Sequence, residues 1–166
     1  MKKIYIAGPD VFETDSIEIG KRLVQMCKKY GYEGLYPLDN VVDFSQNKHK
    51  TAQDIFDANI VMIQKADIII ANLNPFRGKE PDSGTVFECG YAYGLEKEVY
   101  GYMSRTCNYI ETFKQDEKFV KDGYFCDKKE RLIEDFDYPL NLMLACSVKI
   151  IEGDFENVLQ FLKGKQ

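Results

Sequence analysis

A single carboxylate, Glu88, stands among small residues in a stretch that has the pattern of a helix. The stretch PDSGTVFECGYAYG covers residues 81–94, and Gly84 and Ala92 lie four residues to either side of Glu88. Residues four apart share one face of a helix, and none of the neighbours on this face is charged. A solvated face normally carries several charges, so the pattern favours an inward, partly desolvated acid with space beside it over a surface glutamate. Desolvation raises the pKa of a carboxyl group unless hydrogen bonds oppose it.

A second acid, Asp82, precedes the Ser-Gly pair at the expected start of this helix. The position suits an N-cap, whose side chain accepts a hydrogen bond from a backbone N–H of the first turn. It also suits an acid facing the same cavity as Glu88, because six residues span about one and a half helical turns. Two carboxylates that flank a glycosidic bond can cleave it, one by attacking the anomeric carbon and the other by managing a proton. Spacing alone leaves both roles of Asp82 open.

Several other residues could contribute to a site, and each could instead have a purely structural role. Tyr5 fits either a core tyrosine or a phenol hydrogen-bonded to Glu88. Asn59 interrupts an apolar helix face and fits a buried amide that satisfies a loop. Asn141 lies after Tyr-Pro and before LML and fits a turn residue, and Arg77 is expected to be a solvated loop charge.

Other catalytic chemistries find little support in the sequence. His49 is the only histidine, so serine–histidine or cysteine–histidine catalysis would depend on it alone. No cluster has zinc-ligand spacing, and neither a GxGxxG nor a GxxxxGK[ST] motif is present. The loop that begins at Gly8 carries no basic or hydroxyl residue before Phe12, and Asp10 would repel a phosphate there.

Composition excludes further classes of protein. The 166 residues fit one domain, with an irregular insertion at 104–138. A net charge of −5 argues against a partner that is a nucleic acid polymer. The five cysteines are odd in number and lack CxxC spacing, which favours reduced thiols in a cytosol. The N-terminal apolar run is too short for a signal peptide, and no run approaches transmembrane length, so we predict a cytoplasmic protein without a membrane partner.

Strands and helices are predicted to alternate along the chain. The predicted strands are 4–7, a second strand in 34–40 that runs into a Pro-Asp-Asn loop, 66–73, 98–103 and 147–151. The predicted helices begin near Asp15 or Ser16, at Thr51, near Ser83 and after Asp154. The helix from Thr51 is expected to bury Ile55, Phe56, Asn59, Ile60 and Ile63. Within the insertion we expect at most one helix. This alternation predicts an α/β fold with a parallel five-stranded sheet, helices on both faces and a ligand site at the carboxyl ends of the strands.

Several stretches, taken together, resemble the nucleoside 2-deoxyribosyltransferases. They are IYIAGPDVF, PLDN, the helix with Asn59, ADIIIANLNPFRG, EPDSGTVFECGYA and PLNLML. The resemblance runs in order along most of the chain except residues 104–135, and the DSGTxFExG block followed by PxNLM is its most specific part. It implies a flavodoxin-like or Rossmann-like three-layer fold and a reaction without metal or cofactor.

The resemblance also implies roles for individual residues. Glu88 would be the nucleophile, Asp82 the second acid, and Tyr5 the tyrosine that orients the nucleophile. Asn141 would reach the sugar in a neighbouring subunit's site, which implies a homodimer or a larger homo-oligomer. The residues expected to bind substrate are Gly8, Phe12, Asn59, Asn141 and Met143. Some relatives have aspartate at the position of Asn59, and the tail FLKGKQ does not match relatives that use a C-terminal carboxylate.

The reaction implied is an exchange of nucleobases on 2-deoxyribose. Glu88 would attack C1′ of a 2′-deoxynucleoside, the base would leave with a proton, and a second base would attack the resulting ester with overall retention. Two alternatives stay open at this point: a deoxynucleoside 5′-monophosphate N-glycosidase, in which water takes the intermediate, and a non-catalytic domain that senses nucleosides.

Overall fold

The β-strands of the computed structural model, which describes residues 1–39 and 45–165, form two sheets. The strands are β1 (Lys3–Ala7), β2 (Glu33–Leu35), β3 (Ile68–Asn72), β4 (Glu98–Met103), β5 (Lys118–Lys121), β6 (Tyr124–Asp127) and β7 (Lys149–Glu152). Five of them form one sheet in the order β2-β1-β3-β4-β7, and every pairing in it is parallel. The predicted five-stranded parallel α/β fold is confirmed.

Within the described residues, five α-helices cover the two faces of this sheet. They are α1 (Ser16–Lys29), α2 (Lys48–Lys65), α3 (Ser83–Gly94), α4 (Leu142–Ser147) and α5 (Phe155–Lys163). One apolar core joins α1 and α5 to the side chains of one sheet face, and a second core joins α2, α3 and α4 to the other. Successive strand residues point to opposite faces, so Ile4 and Ile6 enter the first core while Tyr5 enters the second. That parity directs the Tyr5 hydroxyl toward α3.

The order of the strands reverses beside β1, which lies between β2 and β3. The chain winds from β1 outward to β2 in one direction, then from β3 through β4 to β7 in the other. Loops that follow β1 and β3 therefore diverge and leave a crevice at the carboxyl edge of the sheet, where ligands of such folds bind. The loop after β1 begins at Gly8, and the loop after β3 leads into α3.

Helix α2 differs from its prediction at its start and on its inner face. It begins at Lys48 rather than Thr51, because the side chain of Asn47 caps it by accepting a hydrogen bond from the N–H of Lys50. Ile63 is fully buried as expected, but Ile55 and Phe56 are exposed, with 37% and 47% of their surface accessible. The first half of the helix thus extends past the edge of the core.

The structure also corrects the expectation for the insertion. The insertion, expected to be irregular with at most one helix, contains two short 3-10 turns (Tyr109–Thr112 and Gln115–Glu117) and the antiparallel hairpin of β5 and β6. The predicted fifth strand corresponds to β7, but Ser147 still belongs to α4. Asn40, the last residue of the PLDN stretch, and residues 41–44 of the polar segment lie outside the described residues. None of the helices in the described ranges is long and apolar enough to span a membrane.

Candidate active site

A cavity of about 550 Å³ opens at the carboxyl edge of the sheet, in the crevice beside β1. Its wall combines the loop after β1, the start of α1, the segment after β2, α2 and the first turns of α3. The lining residues are Gly8, Val11, Phe12, Ser16, Ile17, Pro37, Leu38, Ile55, Asn59, Asp82, Gly84, Thr85 and Glu88. Among these residues the only charged groups are two carboxylates, Asp82 and Glu88, and the rest of the wall is mainly apolar.

Glu88 meets Tyr5 at this wall. The Tyr5 hydroxyl donates a hydrogen bond to Oε1 of Glu88 over 2.6 Å. Tyr5 is completely buried, so its ring fixes the position of that hydroxyl. Glu88 is half-buried in the second turn of α3. Burial raises the pKa of Glu88 to about 7, the hydrogen bond from Tyr5 opposes that shift, and the charge of Asp82 adds to it.

Asp82 combines the two roles that the sequence left open. Its Oδ2 accepts hydrogen bonds from the backbone N–H and the hydroxyl of Thr85, at 2.9 and 3.0 Å, so it caps α3. It also lines the same cavity as Glu88. These two hydrogen bonds hold the Asp82 carboxylate in a fixed position on the cavity wall.

Two glycines, Gly8 and Gly84, allow close packing of the backbone at the crevice. A Cβ at Gly84 would lie 3.1 Å from Oδ2 of Asp82, so a side chain there would press on the cap and reduce the cavity. A Cβ at Gly8 would lie 2.5 Å from Oδ2 of Asp10 and 2.9 Å from Cβ of Asn72. Asn72 donates a hydrogen bond to Asp10 over 3.1 Å, which joins the loop after β1 to the end of β3. Both glycines are therefore needed for close packing at the crevice.

Asn59 on α2 lines the cavity, and its side-chain oxygen Oδ1 is an unpaired hydrogen-bond acceptor. Within the described part of the chain its buried Oδ1 has no hydrogen-bond partner. A buried amide oxygen that stays unpaired is costly, so a donor on a bound molecule would relieve that cost. The alternative from the sequence was an Asn59 amide that satisfies a loop. Within the described residues, the Oδ1 of Asn59 makes no such hydrogen bond.

Asn141 and Met143 lie elsewhere in the same chain. Asn141 caps α4, accepting from the N–H of Met143 and donating to Oε1 of Glu134 over 2.6 Å. Met143 has 74% of its surface exposed. Both line a second cavity of about 690 Å³, formed by α4 and the face of α3 that carries Gly90 and Tyr93. The structure thus brings Tyr5, Gly8, Phe12, Asn59, Asp82 and Glu88 together and leaves Asn141 and Met143 apart from them.

Some residues at the cavity were not anticipated. Leu38 and Ile55 line it, although Ile55 was predicted to enter the core. Arg77 is exposed, as predicted for a solvated loop charge, and its guanidinium also lies over two aromatic rings at the cavity rim. A helical apolar stripe that runs past the protein core could have pointed to Ile55, but no local pattern distinguishes Arg77 from other loop arginines. In the described residues no three His, Cys, Asp or Glu side chains are grouped so as to hold a metal ion.

Comparison with known proteins supports one family. The family model for nucleoside 2-deoxyribosyltransferases matches residues 4–143. A 2-deoxyribosyltransferase of Leishmania mexicana superposes with a TM-score of 0.78 at 32% identity, covering 100% of both chains. The chain belongs to the nucleoside 2-deoxyribosyltransferase family. Its fold is shared with a 2-deoxyribosyltransferase of Bacillus psychrosaccharolyticus at a TM-score of 0.60 and 21% identity, over 95% of this chain and 90% of that one.

Two curated relatives of this family member are longer than the segments they share with it. An uncharacterised protein of Schizosaccharomyces pombe is 29% identical over 69% of this chain and 56% of its own length. A putative 2′-deoxynucleoside 5′-phosphate N-hydrolase of Thermofilum pendens is 28% identical over 54% of this chain and 59% of its own length. The chain therefore matches little more than half the length of each.

Proposed function

We propose that the protein transfers 2-deoxyribose between nucleobases through a covalent intermediate on Glu88. The observation that carries the proposal is the hydrogen-bonded pair of Tyr5 and Glu88 on the wall of a mainly apolar cavity. The cavity volume, about 550 Å³, falls in the range of small-molecule sites. A buried tyrosine that donates to one carboxylate oxygen orients the group and leaves its second oxygen for attack.

The proposed reaction has two displacements. A carboxylate oxygen of Glu88 attacks C1′ while the C1′–N bond breaks, and the electron pair of that bond goes to the departing base. The base takes up a proton, and we propose that Asp82, which lines the same cavity, relays this proton to it. A second base then attacks C1′ of the ester, releases the carboxylate and loses its own proton. Two inversions retain the configuration at C1′.

Asn59, Phe12 and Gly8 are proposed to bind the substrate. The unpaired Oδ1 of Asn59 suits a donor on the edge of a base. The Phe12 ring lines the cavity and offers a flat apolar surface. Gly8 lets the backbone of the loop approach the substrate without a side chain between them.

Hydrolysis of a deoxynucleoside 5′-monophosphate is the second candidate. It is supported by the name of the Thermofilum pendens relative. Against it stand the charges at the cavity, since the described lining residues include two acids and no base. A phosphate dianion needs cationic or N–H donors and is repelled by carboxylates. We therefore favour the nucleoside as substrate.

The separate position of Asn141 and Met143 is best explained by a second copy of the chain. Both lie on an exposed surface next to α3, and we propose that Asn141 completes the site of a neighbouring subunit in a homodimer or larger assembly. Aromatic residues exposed on α2 and α3 support such an assembly. Phe56 and Phe87 have ring centroids 6.0 Å apart, and Phe87 stacks on Tyr91 at 6.3 Å.

The test is a chromatographic exchange assay with 2′-deoxyinosine as donor and adenine as acceptor, followed by a panel of purine and pyrimidine bases. Wild-type protein should form 2′-deoxyadenosine without added cofactor. Glu88→Gln and Glu88→Ala should lose exchange by more than about a thousandfold. Glu96→Gln, a change at an exposed acid after α3, is the matched control and should stay active.

The same assay separates the alternatives. Release of base from 2′-deoxyinosine 5′-monophosphate in water, without exchange of nucleosides, would support the hydrolase. Binding of nucleoside without any turnover would support a sensing role. Full exchange by Glu88→Ala would remove Glu88 from the mechanism.

A further inference from the structure

Three side chains form a stacked cluster at the rim of the candidate site. The rings of Phe12 and Phe76 are stacked, with centroids 5.5 Å apart and planes 16° from parallel. The guanidinium carbon of Arg77 lies 4.6 Å from the Phe76 centroid and 5.3 Å from that of Phe12. Of the two rings, Phe12 lines the cavity and Phe76 stands behind it. We call these three residues the rim cluster.

The backbone of Arg77 is held in an unusual conformation. Its φ is +52°, in the left-handed region that residues other than glycine seldom adopt. The turn is closed by a hydrogen bond of 2.9 Å from the N–H of Phe76 to the carbonyl of Glu80. Such conformations persist where the surrounding contacts determine them, and they concentrate at functional sites. For Arg77, these surrounding contacts are those of its guanidinium with the rings of Phe12 and Phe76.

The loop that carries Phe76 and Arg77, residues 74–82, is fixed at both ends. At its start, Oδ1 of Asn74 accepts hydrogen bonds from the N–H and the hydroxyl of Ser104 at 2.9 and 2.8 Å. Near its end, Lys79 forms an ion pair with Glu117 at 2.8 Å and lies over the ring of Phe113 at 4.9 Å. The insertion thus holds the loop, and Asp82 is the last residue of the loop.

We propose that Phe76 and Arg77 are positioning residues that hold the Phe12 ring as the stacking wall for the nucleobase. Phe12 has 56% of its surface exposed, so its own contacts with the protein core are few. A ring with so little cover would move freely, whereas Phe76 behind it and Arg77 over both rings confine it. This inference rests on the proposed function, because the base concerned is the one exchanged at Glu88.

The chemistry of the wall favours a base over a sugar. An aromatic ring offers a flat, apolar face that stacks on any nucleobase, whereas a deoxyribose is recognised mainly through its hydroxyl groups. A guanidinium lying over Phe76 also orders that ring through its π-face. Loss of the rim cluster should therefore weaken binding of the base and leave the bond-making step at Glu88 unchanged.

Two variants test this inference in the exchange of 2′-deoxyinosine with adenine. Phe76→Leu keeps apolar volume but removes the ring. Arg77→Gly removes the guanidinium and suits a positive φ, so its thermal midpoint should stay equal or rise. Arg105→Ala, at another exposed loop arginine, is the matched control. We expect KM for adenine to rise about three- to tenfold in both variants, with kcat within about twofold of wild type.

The outcomes separate this inference from the proposed function. If wild-type protein shows no exchange, the proposed function fails. Calorimetric binding of adenine to the same variants still tests the rim cluster, because Kd should then rise by about the three- to tenfold expected for KM. Unchanged KM and Kd in both variants would overturn the inference. So would a fall in kcat at constant KM, or a loss in Arg77→Gly confined to 2′-deoxyinosine 5′-monophosphate, which would make Arg77 a phosphate ligand.

Discussion

The hydroxyl of Tyr5, on the first strand of the sheet, donates a hydrogen bond of 2.6 Å to Oε1 of Glu88, on the helix that follows the third strand. The two residues are 83 positions apart in the chain. They meet because Tyr5 points to the sheet face that α3 covers, and because α3 places Glu88 above the end of β1. Burial raises the pKa of Glu88 while Tyr5 lowers it, so the pair sets the pH at which the carboxylate is ionised.

This balance predicts the pH dependence of exchange. A nucleophilic carboxylate must be ionised, so kcat/KM for the donor should fall as the pH drops through about 7. Tyr5→Phe removes the hydrogen bond that favours the charged form, and the acid limb should move to higher pH by about one to two units. Rates of 2′-deoxyinosine consumption between pH 5 and 9 measure the acid limb of the wild type and of Tyr5→Phe. A limb that stays in place in Tyr5→Phe would contradict this electrostatic role.

The same pKa makes Glu88 a cost to stability at alkaline pH. A carboxyl group whose pKa is raised in the folded protein binds its proton more tightly when folded, so stability falls as the pH rises from about 4.5 to about 7. Glu88→Gln keeps an acceptor for Tyr5 but cannot ionise. We expect it to raise the free energy of unfolding by about 1–3 kcal/mol at pH 8 and to have little effect at pH 4.5. Urea unfolding at the two pH values measures the difference, and an equal effect at both would contradict it.

Two variants of Asp82 separate its structural and chemical roles. Asparagine can still accept the hydrogen bond from the N–H of Thr85, so Asp82→Asn should keep the stability of the protein while exchange falls. Asp82→Ala removes the cap as well, and the free energy of unfolding should drop by about 0.5–2 kcal/mol. Thermal unfolding and the exchange assay are run on both. Full activity in Asp82→Asn would restrict Asp82 to capping.

Mixing of inactive variants tests whether Asn141 acts in a neighbouring subunit. Glu88→Ala and Asn141→Ala should each be impaired alone. If sites are shared in a homodimer, random reassortment after mild denaturation and refolding would restore about one quarter of the sites, because half of the dimers are mixed and each has one intact site. No recovery, in a mixture that mass spectrometry shows to contain mixed dimers, would place Asn141 outside the partner's site.

Local sequence patterns were sufficient for most of the fold. Strands β3 and β4 were predicted from mainly apolar segments, which are typical of a parallel sheet covered on both faces. The bounds predicted for β4 are those observed. The cap of the last helix by Asp154 was also predicted, because the acceptor and the N–H it binds lie within one turn. The hairpin of β5 and β6 was missed, because each strand has only four residues and polar and apolar residues do not alternate in either.

Within the candidate site, the sequence by itself determined that Glu88 faces inward among small residues, that Asp82 stands at a helix start, and that both lie near the carboxyl edge of a parallel sheet. These are consequences of spacing along one helix and of the order of elements. Only the tertiary structure decided that Tyr5 reaches Glu88, that Asn59 carries an unpaired oxygen into the cavity, and that Phe76 and Arg77 stack behind Phe12. The physical reason is that such contacts join elements far apart in the chain, and their distances depend on how strands pair and how helices pack on them.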